Sequence, residues 1–254
     1  MKASSLLRDR AYAHIRSKMI EGDLEPGSQV SELALAREIG ISRTPVREAL
    51  RQLQHEGLVQ AVPRFGTVVR VPDRRELEEL YEMREALESF AAARAAERID
   101  TSDLAALEGL VDEMSAAASD LKKSGRTTLE GAALKRFLAA DMGFHLRLFQ
   151  VAGNRRILKS VVESRLLTGI FGTRRQDHTL DVLQEAGRFH ARIVAALRKH
   201  DADSASRLVR DHVRESARGT LEHLDRRESR ALPAGMPDDV LRELDRIERK
   251  EPRP

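Results

Sequence analysis

The sequence predicts a mostly α-helical chain in two parts, a helix-turn-helix with a two-stranded wing at the N terminus and then an all-helical bundle of six or seven helices. Three observations predict it. Strand-type patterning is confined to residues 58–71, apolar residues recur with a 3.6-residue period along most of the remainder, and the positive excess lies entirely at the N-terminal end. Residues 1–72 carry 11 Lys/Arg against 8 Asp/Glu, whereas residues 73–254 carry 33 of each. A basic end on an otherwise balanced chain leans toward a nucleic-acid-binding segment.

The 254 residues, 41% hydrophobic and 33% charged, suffice for two domains with real cores. The chain contains neither Cys nor Trp, which excludes disulfides, thiolate metal sites and cysteine nucleophiles and fits a reducing, cytoplasmic setting. No run approaches the roughly 20 apolar residues of a membrane span. Residues 1–10 also lack the apolar segment of a signal peptide. The expectation is a cytoplasmic protein with no membrane partner.

Taken in order, Tyr12, Ile15 and Met19 repeat as one helix face, closed by Gly22 and the Pro26-Gly27 turn. Ser31 then stands as an N-cap, with Glu32 at the positive helix end and Leu33, Ala36 and Ile39 as the apolar face up to Gly40. Ser42 caps the following helix, in which Pro45 falls within the first turn, where a missing N–H costs little. Val46, Ala49, Leu50 and Leu53 share its inner face, while Thr44, Arg47, Glu48 and Arg51 turn outward with Arg43 beside them. Leu58–Val62 and Thr67–Val71 read as strands flanking Pro63-Arg64-Phe65-Gly66. Such a unit places its second helix in a major groove. Arg43, Arg47 and Arg51 suit guanine edges or phosphates, Thr44 a phosphate, and Gly66 lets the wing approach a minor groove.

The residues Gly22-Asp23-Leu24-Glu25-Pro26-Gly27, Ser31-Glu32-Leu33-Ala34, Ile41-Ser42-Arg43-Thr44-Pro45-Val46-Arg47-Glu48-Ala49-Leu50 and Glu56-Gly57-Leu58-Val59 resemble the DNA-binding domain of GntR-family bacterial regulators. The resemblance implies that Arg43, Thr44 and Arg47 contact operator DNA and that Gly66 lies in the wing.

From Pro72 onward the periodic stretches fall at about 73–98, 102–122, 130–152, 155–171, 179–199 and 202–228, with Asp73 as the N-cap that opens the first. Several of their apolar stripes carry polar residues. Leu134, Leu138 and Leu148 share a stripe with Asp141 and His145, His190 is in register with Ile193, Val194 and Leu197, and His212 with Ala205, Leu208 and Val209. A single such histidine is most simply a hydrogen-bonded core residue. Three on three helices, with a carboxylate, point instead to convergence on an ion. Imidazoles with one carboxylate suit Zn, Ni, Mn or Fe and do not suit Ca or Mg. His14, His55, His178 and His200 occupy polar or terminal positions and read as surface or capping residues. Arg84 and Arg165 also face inward, each to be met by an internal salt bridge or by a bound organic acid. Asn154 touches the ligand or caps the next helix.

Asp141-x-x-x-His145, Val151-Ala152-Gly153-Asn154, the 22-residue interval from His190 to His212, and Leu80 to Glu88 resemble the helical FCD effector domain of the FadR branch of that family. By similarity the metal ligands are Asp141, His145, His190 and His212. The division expected is 1–72 for the DNA-binding domain, 73–228 for the effector-binding and dimerisation domain, and 229–254 for a charged, Pro-containing tail.

The reading of the whole is a metabolite-responsive transcription regulator that acts as a repressor. It binds a palindromic operator as a homodimer, with a divalent metal, Zn foremost, and a small carboxylate effector in its helical half. The rivals are a metal-dependent, hydrolase-like enzyme, for which no second carboxylate on the stripes supplies a general base, and a nonspecific DNA-architectural protein.

Overall fold

The computed structural model describes residues 2–172 and 178–229, so the expectation for the tail falls outside the described residues. The chain divides into two compact units, one built on Met1–Pro72 and the other on Asp73–Leu224. Both are dominated by helices, as the periodicity requires.

In the first unit, α1 (Lys2–Ile20) leads to β1 (Gln29–Val30), α2 (Glu32–Ile39), α3 (Arg43–His55), β2 (Val59–Val62) and β3 (Gly66–Val69). Ile15 and Met19 of α1, Leu35, Ala36 and Ile39 of α2, and Val46, Ala49, Leu50 and Leu53 of α3 are all buried and form its core. Ser31 caps α2 by accepting from the Ala34 amide at 3.2 Å, and Gly40 ends it in the left-handed conformation at φ 73°. Ser42 occupies the N-cap position of α3 without a side-chain capping bond. The inner face of α2 differs from the expected one: Leu33 is 48% exposed and Leu35 is buried in its place. A helix of eight residues has room for only one apolar stripe, and Leu35 with Ala36 and Ile39 forms it.

The wing is a three-stranded sheet of order β1-β3-β2, all antiparallel, rather than a hairpin alone. Val62 pairs with Gly66, so Pro63, Arg64 and Phe65 make a three-residue connection with Arg64 in the left-handed region at φ 69°. The two residues of β1 are too few to show an alternating pattern in the sequence.

The second unit contains α4 (Arg74–Arg98), α5 (Thr101–Ser124), α6 (Gly131–Ala152), α7 (Arg155–Gly172), α8 (Leu180–Arg198) and, as far as Leu224, α9 (Ala202–Ser229). Asp73 caps α4 through the Glu76 amide at 2.7 Å, and Asp100 caps α5 through the Asp103 amide at 2.7 Å. One apolar core runs through the unit. The fully buried Ala91, Ala92, Ala95 and Ala96 of α4 share it with Phe144, Leu148 and Phe149 of α6 and Ile193 and Leu197 of α8. Small side chains on α4 let that helix lie close to α6, where the large ones fill the gap.

Candidate metal and effector centre and nucleic-acid interface

The stripe of α6 that carries the misplaced polar groups faces the middle of the bundle. His145 on α6 and His190 on α8 are completely buried and His212 on α9 is 8% exposed. One ligating atom from each lies within 4.8 Å of those of the other two, so the three imidazoles could hold a metal ion. Their rings are packed on one another, with His145 stacked on His212 at 5.3 Å between centroids and His190 edge-on to both. Phe144 and Phe149 close the apolar wall around them.

The charge state of this trio follows from its surroundings. Burial pushes the proton affinity of His145 and His212 well below the ordinary imidazole range, assisted by neighbouring imidazoles and by Arg165. Burial lowers that of His190 as well, against the opposing pull of Asp141 and the Ala186 carbonyl. Neutral imidazoles carry lone pairs for coordination. His190 Nδ1 lies 2.6 Å from the Ala186 carbonyl oxygen, the geometry in which an Nδ1–H donates and Nε2 is left as the base. That Nε2 is 3.1 Å from His145 Nε2, and His145 Nδ1 is buried with no hydrogen-bond partner. Asp141 stands at the rim, its Oδ1 3.3 Å from His190 Nε2 and 3.8 Å from His145 Nε2.

Behind Asp141 lies an ionic chain that the sequence reading did not contain. Arg165 Nη2 reaches Asp141 Oδ2 at 3.5 Å, Arg165 Nη1 donates to Glu88 Oε2 at 2.9 Å, and Arg84 Nε donates to Glu88 Oε1 at 2.7 Å. Arg84 Nη1 also donates to Thr168 Oγ1 at 2.8 Å. Glu88 is completely buried, and both guanidiniums are nearly so. The salt-bridge alternative for Arg84 and Arg165 is therefore the arrangement present, with one shared carboxylate. Both oxygens of Glu88 are held by guanidiniums, so it is a carboxylate of the ion chain and not a general base beside the imidazoles. Glu88 sits one turn from Arg84 on α4, and its inward direction is visible in the sequence only if Arg84 is already known to need a partner. Arg165 Nε remains buried without an acceptor among the described residues.

Asn154 acts as a helix cap: its Oδ1 accepts from the Arg156 and Ile157 amides at 3.0 and 3.2 Å. His55 is exposed, His14 is half-buried with Nε2 3.1 Å from Glu38 Oε2, and His200 Nδ1 pairs with the Ala96 carbonyl at 2.8 Å. His178, expected at the surface, is 8% exposed and packs edge-on against Phe137. The residue lies just ahead of α8, where helix periodicity says nothing about burial.

In the first unit Arg43, Thr44, Arg47 and Arg51 lie on the exposed side of α3, and Gly66 is exposed in the wing at φ 82°. Arg43 Nη2 and Arg47 Nη2 each donate to Glu32 Oε2 at 2.9 Å, and Arg47 Nε donates to Glu32 Oε1 at 3.1 Å. Two of the three outward arginines, Arg43 and Arg47, are thus gathered on one carboxylate of α2. Among the described residues, no helix is long and apolar enough to cross a membrane.

Comparison with known proteins identifies both units. Residues 7–69 match the model of bacterial regulatory proteins of the gntR family, and residues 79–215 match the FCD domain. A 37% identical relative, aligned over 56% of this chain and 78% of its own length, is an uncharacterised HTH-type transcriptional regulator in the TAR-I ttuE-ttuC′ intergenic region of Agrobacterium vitis. The probable D-xylose utilization operon transcriptional repressor of Paenarthrobacter nicotinovorans is 30% identical over 77% of this chain and 80% of its own length. Among solved structures, E. coli McbR/YncC is similar in fold, with a TM-score of 0.73 at 20% identity over 86% of this chain and 98% of that one. The relatives are transcription regulators and not enzymes, and the chain belongs to the GntR family of bacterial regulatory proteins, with an FCD domain as its second half.

Proposed function

We propose that this regulator is a homodimeric repressor whose helical unit binds a divalent metal and a small carboxylate effector. The observation that carries the reading is the meeting of His145, His190 and His212, all neutral and buried, in a chain that also carries a winged helix-turn-helix. An apolar bundle has no reason to bury three imidazoles and leave a ring nitrogen unpartnered, so the donor set fits a borderline divalent ion, Zn foremost, with Ni, Mn or Fe as chemically acceptable substitutes. Asp141 would complete the set from the rim.

A bound ion would supply a coordination point for an effector carboxylate. The chain's own residues do the rest. Arg165 has a spare buried Nε–H to give to a carboxylate, and Arg84 lies one ionic step behind it. Asn154 caps α7, which leaves Arg165 and Arg84 as the effector contacts. Any ligand that draws on Asp141 or Arg165 changes the partners of Glu88, and through Glu88 the setting of α4, the helix that begins at Arg74, just after the winged unit ends. On the DNA side Arg43, Thr44, Arg47 and Arg51 of α3 would meet the major groove of an operator half-site and Gly66 the backbone or minor groove, with two-fold symmetry matching a palindrome. Effector binding would release the operator.

Zinc content and DNA affinity of full-length wild-type protein and of His145→Ala test the reading together. The wild type should hold stoichiometric zinc and respond to small carboxylic acids by weaker binding to a duplex enriched from a random pool, and His145→Ala should lose most of both properties. Full zinc occupancy in the folded variant would refute the ligand set.

A further inference from the structure

Two arginines of the α3 stripe, Arg43 and Arg47, are paired with a carboxylate of α2. Glu32, the first residue of α2, holds Arg47 by a two-point contact and Arg43 by a single one. The Glu32 side chain is only 22% exposed, whereas those of Arg43 and Arg47 are 57% and 51% exposed. The carboxylate therefore lies beneath the two guanidiniums. Hydrogen bonds from Arg47 and then Arg43 keep Glu32 ionised, holding its proton affinity below the usual carboxylate range.

A guanidinium is planar and presents two forked edges, one formed by Nε with Nη2 and one by Nη1 with Nη2. In Arg47 the Nε/Nη2 edge is occupied by Glu32. The Nη1/Nη2 edge points away from the carboxylate, and it is the edge that can make the paired contact to guanine O6 and N7. We propose that Glu32 is a specificity-determining residue that fixes the plane of Arg47, offers only its far edge to DNA, and discourages contact with phosphate. The proposal rests on the DNA-binding reading above and assigns a role in it to a residue of α2, outside the recognition helix.

The electrostatics lead the same way. Arg43, Arg47 and Glu32 together carry one net positive charge where the two arginines alone would carry two. Sequence-independent affinity grows with each neutralised phosphate and its released counterions. Binding to random DNA through these arginines must open a paired carboxylate or bring a phosphate close to it. A guanine contact through the far edge requires neither. Glu32 thus lowers the affinity for nonspecific sites, which are the abundant competitors of any operator.

The test uses full-length protein, a random-sequence duplex, and a duplex enriched from a random pool by the wild type. Glu32→Gln should bind the random duplex more tightly, by about threefold or more, with a log-affinity against log-salt slope steeper by about one. Its affinity for the enriched duplex should fall, by roughly tenfold. In an Arg47→Ala background the loss on the enriched duplex should vanish, because Glu32 acts through that arginine; a merely structural role at the start of α2 would persist there. A wild type that discriminates between the duplexes, with a Glu32→Gln variant that keeps both its selectivity and its salt slope, overturns this inference alone. A wild type that binds all duplexes alike overturns the sequence-specific reading and this inference with it.

Discussion

Glu88 is the shared carboxylate of the buried ion chain in the helical unit. It compensates Arg84 and Arg165 at once, from a position with no access to solvent. Burial alone would lower the proton affinity of Arg165, and does so in spite of Glu88 and Asp141, whereas Arg84, also desolvated, is held charged chiefly by Glu88. Removing one partner of a buried pair leaves an uncompensated charge and costs about 3–5 kcal/mol, far more than the pair contributes net. Glu88→Ala should therefore lower the urea midpoint by an amount equivalent to about 3–5 kcal/mol. Removing Arg214, which pairs with Glu85 on an exposed face, should leave the midpoint unchanged within error. Equal and small effects at both positions would mean that Glu88 is hydrated in solution. The same residue shows a limit of reading chemistry from sequence. Arg84 and Arg165 announce themselves because an arginine on an apolar stripe is anomalous, but glutamates are common on α4, and the one that turns inward differs from its neighbours only in what it meets.

At the scale of elements the helix ends are where sequence and structure agree most closely, since each end has its own chemistry. Asp73, Asp100 and Ser31 accept from the amide three residues on, and Gly40, Gly125 and Gly153 close their helices in the left-handed region. The six helices of the second unit could be bounded to within a residue or two because 3.6-residue periodicity and these caps coincide. The strand β1 could not, because two residues leave no pattern, and the position of Leu33 could not, because Leu33 and Leu35 are equally apolar and only the packing of α2 on α3 decides between them. The meeting of His145, His190 and His212 was legible as three anomalies on three stripes, though not the stacking that joins them or the arginine chain behind Asp141. The two C-terminal glycines of α5 and α6 allow a direct comparison. Both have positive φ, and a Cβ at Gly125 would enter open space, whereas at Gly153 it would lie 2.5 Å from Arg98 Nη1. Arg98 Nη1 donates to the Ala152 carbonyl at 2.8 Å and so satisfies the end of α6. Gly125→Ala should cost about 1–2 kcal/mol of backbone strain, and Gly153→Ala that amount plus the loss of the Arg98 contact, about 1 kcal/mol more. Denaturant titrations of the two variants check the order, and Gly125→Ala as the more damaging change would contradict it.

For the whole molecule, the division into two compact units would make metal binding at the imidazoles a local event with a defined reach. The three imidazoles belong to α6, α8 and α9, and the carboxylate and arginines linked to them belong to α4, α6 and α7. An ion held by this set binds the folded helical unit and not its unfolded chain, so it stabilises that unit by mass action, about 2.7 kcal/mol at a hundredfold excess over its dissociation constant. Hydrogen exchange resolves where that stabilisation acts, because every opening that separates α6 from α8 or α9 must first release the ion. Zinc added to metal-free protein should slow exchange across α4, α6, α7, α8 and α9 and leave the amides of residues 7–69 at their former rates. Protection confined to α6 would mean that the ion binds one helix without closing the cluster. Equal protection of the winged unit would mean that the two units open together, and in that case any ligand of the helical half would already stabilise the DNA-binding half without an effector. The division at Pro72 favours the first pattern: each unit has its own apolar core, so each can open at its own free energy.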